Sequence, residues 1–450
     1  MNILVLNGSP KGANSITLQT VLYLQILYPQ HHFEILHVGA RIKALEKDFS
    51  PAVQAVEKAD LLLFCYPVYT FIAPSQLHRF IELLKACGVK TAGKFAAQIS
   101  TSKHFYDVTA HRYIEDNCLD MGMKYTRGLS ADMEDLTTQK GQQEAKAFFK
   151  YVCWCVKHDV YRPLPAARPA FVPVPAAVPA AKTEEKPGDV VILTDCEEDN
   201  TQLQGMIDRF RAVFPRKTRV VNLHGVTMRG GCLGCFHCAA DGKCVYTDGF
   251  DSYLRNEIQT AESIVYAFTV KDHSMGALFK MYDDRQFCNG HRTVTMGMPV
   301  GYIISGDYEN EANLRMIVEG RCEVGSNFLA GVANDARDTN RSVDQLAASL
   351  AYALKHKVTQ PQNFYGIGGM KIFRDLIYQM QGLMKADHKF YKAHGQYDFP
   401  QKHKGTVLKM YLVGMLFSNE KLKAKLGGKI SEGMVAPYKK VLEEAGKQKK

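Results

Sequence analysis

The sequence predicts an α/β protein with two doubly wound parallel-sheet domains in tandem and a mainly helical C-terminal extension. Three observations support this class: short apolar runs alternate with helical patterns, the alternation occurs twice, and a proline-rich segment separates the two blocks. Of the 450 residues 46% are hydrophobic and 23% charged, so most of the chain should be globular. We expect domains at 1–161 and 189–357, a linker at 162–188 and an extension at 358–450.

The first block contains five apolar runs that we interpret as strands, with helical patterns between them. The predicted strands are 3–6, 33–38, 60–64, 94–99 and 123–129. The predicted helices lie near 17–28, 75–87, 108–121 and 139–156. Such β-α repeats imply a parallel sheet that helices cover on both faces.

The second block repeats this rhythm, and we interpret it as a diverged copy of the first. Its predicted strands are 190–193, 219–223, 263–268 and 300–305. Its predicted helices lie near 202–213, 250–260 and 343–356. Between the blocks, residues 162–188 carry 7 of the 17 prolines and should form an extended, semi-rigid spacer.

The formal net charge of +10 is confined to the C-terminal part of the chain. Residues 358–450 carry 17 Lys or Arg and 7 Asp or Glu, whereas residues 1–357 carry 39 of each sign. Because no basic face accompanies the α/β blocks and no nucleic-acid motif is present, we expect no nucleic-acid partner. The apolar run 407–417 is too short to span a bilayer. It packs on a domain or a second subunit, or it lies at a membrane surface beside Lys421, Lys423 and Lys425.

Twelve cysteines occur in a chain whose N-terminus lacks the basic leader of an export signal. We therefore interpret them as thiols or metal ligands, not as a disulfide framework. The sequence predicts a cytoplasmic protein, and we expect it to form a homo-oligomer.

A loop with phosphate-binding character follows the first strand. It begins Asn7-Gly8-Ser9-Pro10-Lys11 and runs into a helix whose first N–H groups are free to bind an anion. It lacks both the dinucleotide and the P-loop fingerprints, so a mononucleotide such as FMN fits better than NAD or ATP. The alternative is an ordinary capped turn. The candidate ligands are Ser9, Lys11, Asn14, Ser15 and Thr17.

Two further loops should meet this one, because ligands of doubly wound sheets lie beyond the carboxyl ends of the strands. One offers flat apolar surfaces for a planar ring, and the other offers hydroxyls for its polar edges. The alternative is that the aromatic side chains pack only against each other. The candidates are Tyr66, Pro67, Val68, Tyr69, Thr101 and Ser102. His104 and Tyr106 are weak candidates for donating protons to a substrate, or they belong to an ordinary helix cap.

Residues 1 to about 150 resemble the flavodoxin-like, NADPH-dependent FMN reductase family. The motifs that carry this resemblance are Gly8-Ser9-Pro10-Lys11, Asn14-Ser15 and Tyr66-Pro67-Val68-Tyr69. The resemblance implies that FMN lies with its phosphate at the first loop and its ring between the other two. It also implies NAD(P)H as the electron donor, although no dinucleotide fingerprint is present.

The second block contains a C-x2-C-x2-C-x5-C loop after its second strand, formed by Cys232, Cys235, Cys238 and Cys244. Three thiolates at consecutive x2 spacing, with a fourth to close the site, are typical of a [4Fe-4S] cluster. Zinc is a less favoured alternative because structural zinc usually uses two separated C-x2-C knuckles. A loop of free redox thiols is the third possibility.

Residues 189 to about 357 resemble the iron-sulfur flavoproteins, including the Phe279–Arg285 stretch, where that family tends to have a Lys and an Asp-Arg pair. One departure stands out: residues 194–201 carry four carboxylates where the first copy has its phosphate loop, and carboxylates repel a phosphate. The first block in turn has no cysteine in its loop 39–44. We therefore expect FMN in the first domain and iron-sulfur in the second.

The function expected from these features is a flavin- and iron-sulfur-dependent oxidoreductase. It would move electrons between NAD(P)H or a reduced carrier and an acceptor such as a ferredoxin-like protein. The alternative is a non-catalytic electron carrier or redox sensor that docks to a protein partner; a zinc-stabilised scaffold is a third class. Residues 287–291 could line the crevice between the two halves.

Overall fold

A computed structural model describes residues 1–166, 168–180, 186–398 and 404–417. The chain divides into two compact units, Met1–Phe390 and Tyr391–Lys450. Both α/β domains lie in the first unit. The domain boundaries expected from the sequence stay a prediction, but the first unit extends beyond residue 357.

The first domain contains a parallel sheet with the strand order β2-β1-β3-β4-β5, and β6 also pairs with β4. Its strands are β1 (Asn2–Asn7), β2 (His32–Leu36), β3 (Leu61–Pro67), β4 (Phe95–Ser102), β5 (Lys124–Tyr125) and β6 (Leu129–Asp132). Its helices are α1 (Ile16–Leu27), α2 (Ile42–Leu45), α3 (Ser50–Lys58), α4 (Ser75–Ala86), α5 (Asp107–Asp120) and α6 (Gln139–His158). Single 3-10 turns occur at Gly12–Asn14 and Asp135–Thr137.

The strand predicted at 123–129 is wrong in extent, because two short strands replace it. β5 pairs with the start of β4 and β6 with its end. Between them the backbone of Gly128 passes so close to Gln98 that a Cβ there would overlap the Gln98 side chain. The interruption thus lies where this buried side chain occupies the path of the strand.

The second domain contains a parallel sheet with the order β11-β10-β9-β7-β8. Its strands are β7 (Lys186–Thr194), β8 (Arg216–Asn222), β9 (Ser263–Thr269), β10 (Pro299–Ser305) and β11 (Phe328–Asn334). Its helices are α7 (Thr201–Val213), α8 (Phe250–Tyr253) with a π-helical turn (Leu254–Ile258), α9 (Gly276–Arg285), α10 (Ala312–Gly325) and α11 (Thr339–His356). Single 3-10 turns occur at Leu223–Gly225, His237–Ala239, Gln286–Asn289 and Tyr308–Asn310.

The two sheets have the same strand order when each domain is numbered from its own first strand, which confirms two doubly wound domains in tandem. Strand β11 was not predicted. Its side chains are half-buried along most of the strand. Its sequence is Phe328-Leu329-Ala330-Gly331-Val332-Ala333-Asn334, and the Ala and Gly residues in it are less frequent in strands, so the strand pattern is weak.

Helices cover both faces of each sheet. In the first domain α1 and α6 pack on one face, and in the second domain α7 and α11 do so. The opposite faces share one continuous apolar cluster, which includes residues of both sheets. The two domains are therefore joined through a common core and not only through the linker.

Helices α4 and α9 form the centre of the domain interface, and each caps the N-terminus of the other. The N–H of Ser75, at the start of α4, donates to Asp284 Oδ2 at 2.7 Å. The N–H of Ala277, in the first turn of α9, donates to Glu82 Oε1 at 2.7 Å. This reciprocal pattern is expected if an approximate two-fold axis relates the two domains.

The extended, semi-rigid spacer at 162–188 stays a prediction, and the described part of this segment is fixed in places to the second domain. Val174 N–H donates to Asp335 O at 2.9 Å, and Ala177 N–H donates to Asn340 Oδ1 at 2.8 Å. At these positions the segment is bound to the surface of the second domain, because each hydrogen bond fixes a backbone group that a free spacer would leave to water.

The helices after residue 357 are α12 (Phe364–Gln379), α13 (Lys385–Ala393) and α14 (Lys404–Phe417), which confirms the helical C-terminal region. Helix α12 packs on α10, and Gly369 allows its close approach to Val324. Within the described ranges, no helix is both long and apolar enough to cross a bilayer. Lys421, Lys423 and Lys425 lie outside the described residues.

Candidate functional site

The loop after β1 places the N-terminus of α1 at the carboxyl edge of the first sheet. Ser15 caps the helix, its Oγ accepting from the N–H of Leu18 at 3.3 Å. Gly12 has a φ of 55°, and its carbonyl accepts from Asn7 Nδ2 at 2.9 Å. The N–H groups ahead of Leu18 have no partner inside the helix, so the loop offers donors to an anion.

Thr17 supplies the observation that tests this loop for a phosphate. Its side chain is 1% exposed and lines the cavity described below. Within the described chain, its Oγ1 is buried without a hydrogen-bond partner. Because an unpaired buried hydroxyl is costly, a phosphate oxygen at the helix N-terminus would satisfy it. The loop therefore fits the FMN phosphate.

Two more loops of the first domain lie at the same edge. Pro67, Val68 and Tyr69 leave the end of β3, and Thr101 and Ser102 end β4; all five line the cavity. The sequence predicted this meeting of loops from the rule that parallel strands end at one edge.

The four-cysteine loop of the second domain enters the same space. Cys235 is exposed, and Cys232, Cys238 and Cys244 are partly buried. Burial, together with the neighbouring thiols, raises the pKa of Cys232 to about 12 and that of Cys238 to about 11. The donor set fits an iron-sulfur cluster. However, no three His, Cys, Asp or Glu side chains of the described residues have a metal-binding arrangement.

Arg285 fixes both ends of the cysteine loop. Its guanidinium donates twice to Asp248, at 2.8 Å each, and once to Gly230 O at 3.1 Å. It lies 4.5 Å from the ring centre of Tyr246 and 4.8 Å from that of Phe250. Burial alone raises the pKa of Asp248, but the hydrogen bonds from Arg285 hold it well below its usual range.

The cysteine loop and the first domain are in direct contact. Gln76 Nε2 donates to Cys232 O at 3.3 Å, and Lys11 Nζ lies 5.5 Å from the ring centre of Phe236. At Gly234 the backbone approaches the Tyr69 hydroxyl so closely that a side chain would overlap it. The predicted FMN loops and the predicted cluster loop are therefore neighbours.

These loops surround one cavity of about 400 Å³, which is within the usual range for ligand pockets. It is lined by thirteen of the predicted site residues: Ser9, Lys11, Ser15, Thr17, Pro67, Val68, Tyr69, Thr101, Ser102, Cys232, Cys235, Cys238 and Cys244. The candidates from two separate domains therefore form a single site.

Four predicted residues lie elsewhere. Asn14 is exposed on the outer side of its turn. Tyr66 points into the core of the first domain, where its hydroxyl donates to Gln98 Oε1 at 2.5 Å. Successive strand residues face opposite sides, so Tyr66 and its cavity-lining neighbour Pro67 diverge. His104 is half-exposed and pairs with Asp107, and Tyr106 donates to the carbonyl of Tyr365.

Sequence reasoning missed several residues that line the cavity, among them Arg285, Arg321 and Phe373. Arg321 is held in an ion pair with Asp283. The suggestion that residues 287–291 line the crevice is confirmed. Arg321 and Phe373 are on helices α10 and α12 and carry no local motif, so only the packing of these helices against the interface brings them here.

The second domain has no comparable phosphate loop. Burial raises the pKa of Asp195 to about 7, and Glu197 adds to the rise. Of the described residues, none between 194 and 200 lines the cavity. This placement supports the expectation that FMN belongs to the first domain.

Comparison with known proteins gives matches of the expected kind. Residues 1–124 match the model of the NADPH-dependent FMN reductase family. The iron-sulfur flavoprotein of Archaeoglobus fulgidus is 26% identical over 175 residues, which cover 36% of this chain and 78% of that protein. Both families named from the sequence are thus matched, and the assignment of the iron-sulfur flavoprotein resemblance to residues 189–357 stays a prediction.

Solved structures with a similar arrangement include two complexes with FMN. An FMN-dependent NADH-azoreductase from Bacillus anthracis has 12% identity and a TM-score of 0.28, over 36% of this chain and 100% of its own. General stress protein 14 from Treponema denticola has 14% identity and a TM-score of 0.29, over 34% of this chain and 98% of its own.

The strand order 2-1-3-4-5 of both sheets is that of the flavodoxin-like fold. Within the first domain, residues 1–124 are similar to the NADPH-dependent FMN reductases. The second domain repeats the fold and contributes its cysteine loop to the cavity of the first.

Proposed function

We propose that the protein is an NAD(P)H-dependent oxidoreductase with FMN in its first domain and a [4Fe-4S] cluster in its second. The observation that carries the proposal is the single cavity lined by both the flavin loops and the four-cysteine loop. When bound, FMN exchanges electron pairs and a cluster exchanges single electrons, so their adjacency suits a protein that converts one kind of transfer into the other.

The residues of the chain have distinct roles in this proposal. The N-terminus of α1 and the Thr17 hydroxyl bind the phosphate. Pro67, Val68 and Tyr69 provide the surface on which the ring lies, and Thr101 and Ser102 face its polar edge. Phe287 and Tyr69, with ring centres 5.8 Å apart, shield the space between the two loops from water.

Cofactor content is the direct test. Protein purified without oxygen is expected to contain about one FMN and about four irons per chain, with matching sulfide. Two FMN per chain would contradict the assignment of the flavin to the first domain. Zinc in the absence of iron would indicate that the four cysteines form a structural metal site and not an electron-transfer site.

Rapid mixing with NADPH or NADH then tests the donor. Fast bleaching of the flavin absorbance supports the reductase. Reduction by dithionite or reduced ferredoxin alone would favour the electron carrier that docks to a protein partner.

We propose a reducing, cytoplasmic setting for the protein. There the twelve cysteines, all of which are described and none of which is in a disulfide, would stay available as thiols or metal ligands.

A further inference from the structure

The flavin loop after β3 has a strained backbone that its own residues do not favour. Thr70 and Phe71 have φ values of 42° and 75°, the left-handed region that non-glycine residues rarely adopt. Both side chains line the cavity. Such strain persists only where surrounding groups hold the backbone in place.

Groups of both domains hold this loop. In the first domain, Phe71 O accepts from Thr109 Oγ1, and Tyr69 and Ile72 exchange backbone hydrogen bonds.

The second domain adds a buried ion pair of α9. Lys280 Nζ donates to Tyr69 O at 2.9 Å. Asp284 accepts from the N–H of Ser75 at 2.7 Å and from Thr70 Oγ1 at 3.4 Å. Lys280 also donates to Asp284, and both side chains are fully buried. One buried ion pair of α9 therefore contacts both ends of the strained segment.

The neighbouring charges also have ionic partners. Asp283 forms an ion pair with Arg321 as well as with Lys280, and Arg285 is paired with Asp248. Besides these ion pairs, Lys280 and Asp284 contact the loop of the first domain. Their contact with it replaces the water that these backbone groups would otherwise bind.

Because the two domains are copies of one fold, an equivalent contact occurs on the other side of the interface. Asp272 and His273 have φ values of 51° and 63°, and they occupy in the second domain the place of Thr70 and Phe71. Glu82 of α4 caps α9 there, just as Asp284 caps α4. This second loop does not line the cavity, so it serves as an internal reference.

We propose that Lys280 and Asp284 are positioning residues for the flavin pocket: the second domain holds the flavin loop of the first in its binding shape. This rests on the proposed function, because it assumes FMN in the first domain. The pair acts through the backbone groups of Tyr69 and Ser75 and through the Thr70 hydroxyl, and it does not itself line the cavity.

The experiment compares D284N with E82Q in the full-length chain. Both changes remove one charged helix cap at the interface, but only D284N affects the flavin loop. FMN is titrated into flavin-free protein by fluorescence quenching, and the midpoint potential and visible spectrum of the bound flavin are recorded. We expect D284N to bind FMN about tenfold more weakly, with a changed potential, and E82Q to stay within about twofold of the wild type.

The double variant K280M/D284N covers the case in which D284N does not fold, because it leaves no unpaired charge of this pair. It should bind FMN as weakly as D284N. Unchanged FMN affinity and potential in the D284N and double variants, or equal losses in D284N and E82Q, would overturn the positioning role while leaving the proposed function intact. Failure of the wild type to bind FMN would overturn both.

Discussion

Thr17 is the residue of the phosphate loop that most directly indicates a bound anion, because its buried hydroxyl has no hydrogen-bond partner in the described chain. We expect T17V to keep the fold and to weaken FMN binding about tenfold, since a hydrogen bond to a charged group is lost. Fluorescence titration measures the affinity. The matched control is T20V on the same helix, a buried threonine that does not line the cavity. Equal losses in both variants would show a general effect on α1.

His273 connects the domains with a charge that depends on pH. Its ring contacts Asp120 at 2.9 Å and Glu311 at 2.9 Å. Burial alone lowers the pKa of His273, but the hydrogen bonds that its ring donates to both carboxylates raise it to about 10. Because the folded-state pKa lies above the ordinary value, the stabilisation is complete below about pH 6.5 and declines as the pH rises towards 10.

The H273Q variant tests this linkage. We expect it to lower the melting temperature by several degrees at pH 6 and by progressively less towards pH 10, because the wild type loses the charged form there. Calorimetry or circular dichroism at several pH values gives the comparison. H158Q, on the exposed end of α6, is the control and should leave the melting temperature nearly unchanged. A deficit that is constant with pH would contradict the assignment.

Residue identity within the loops was predictable in part. The rule that ligands lie beyond the carboxyl ends of parallel strands correctly placed Ser9, Thr17 and Thr101 at the cavity. It does not specify which side each residue faces. Tyr66 and Asn14 were assigned to the site by position in a motif, and the pleat of β3 and the turn before α1 direct them elsewhere.

At the scale of the element, Arg285 is the anchor of the cysteine loop. We expect R285K to lose iron during purification and on exposure to a chelator, because lysine cannot form the two-point contact with Asp248 or lie between two rings. Iron and sulfide analysis gives the readout. R219K is the control, since Arg219 makes a similar contact with Asp189 away from the loop. Iron retention equal to that of the wild type would show that the loop needs no such anchor.

The elements themselves were predictable where the apolar pattern was strong. Helices α1, α4, α5 and α6 lie within a few residues of their expected positions. Strand β11 was missed because Ala330, Gly331 and Ala333 have low strand propensity and lie in its middle. Strand 123–129 was predicted as one because periodicity does not reveal the obstruction by Gln98. The second error has its origin in tertiary packing.

At the scale of the whole molecule, the position of α12 changes the expected effect of truncation. Its residues Ile372, Phe373 and Leu376 line the cavity, so a chain that ends at residue 357 should lose FMN affinity and solubility. A chain that ends at Phe390 keeps all the described cavity residues and should bind FMN like the full-length protein. FMN titration of both truncated chains is the measurement. Full FMN binding without α12 would contradict this account.

The sequence predicted two domains and their cofactors but not their joint site. The contact between α4 and α9 was not predicted, because α4 alone resembles an ordinary amphipathic helix and the charged residues of α9, such as Lys280 and Asp284, would be expected on an exposed face although they are buried. The charge distribution did indicate that the C-terminal part differs from the rest. It did not indicate that α12 belongs to the first unit, because packing on α10 depends on small residues such as Gly369 and not on charge.

The contact of Lys280 and Asp284 with the flavin loop also has a consequence for the newly synthesised chain. The first domain, which is predicted to end at residue 161, emerges from the ribosome well ahead of the start of α9 at Gly276. Until α9 has been translated, the segment around Thr70 lacks the contacts that Lys280 and Asp284 make with it. We expect a nascent chain stalled before residue 276 to capture FMN poorly, and one released after residue 390 to capture it well. Flavin loading would then report that translation of both halves is complete.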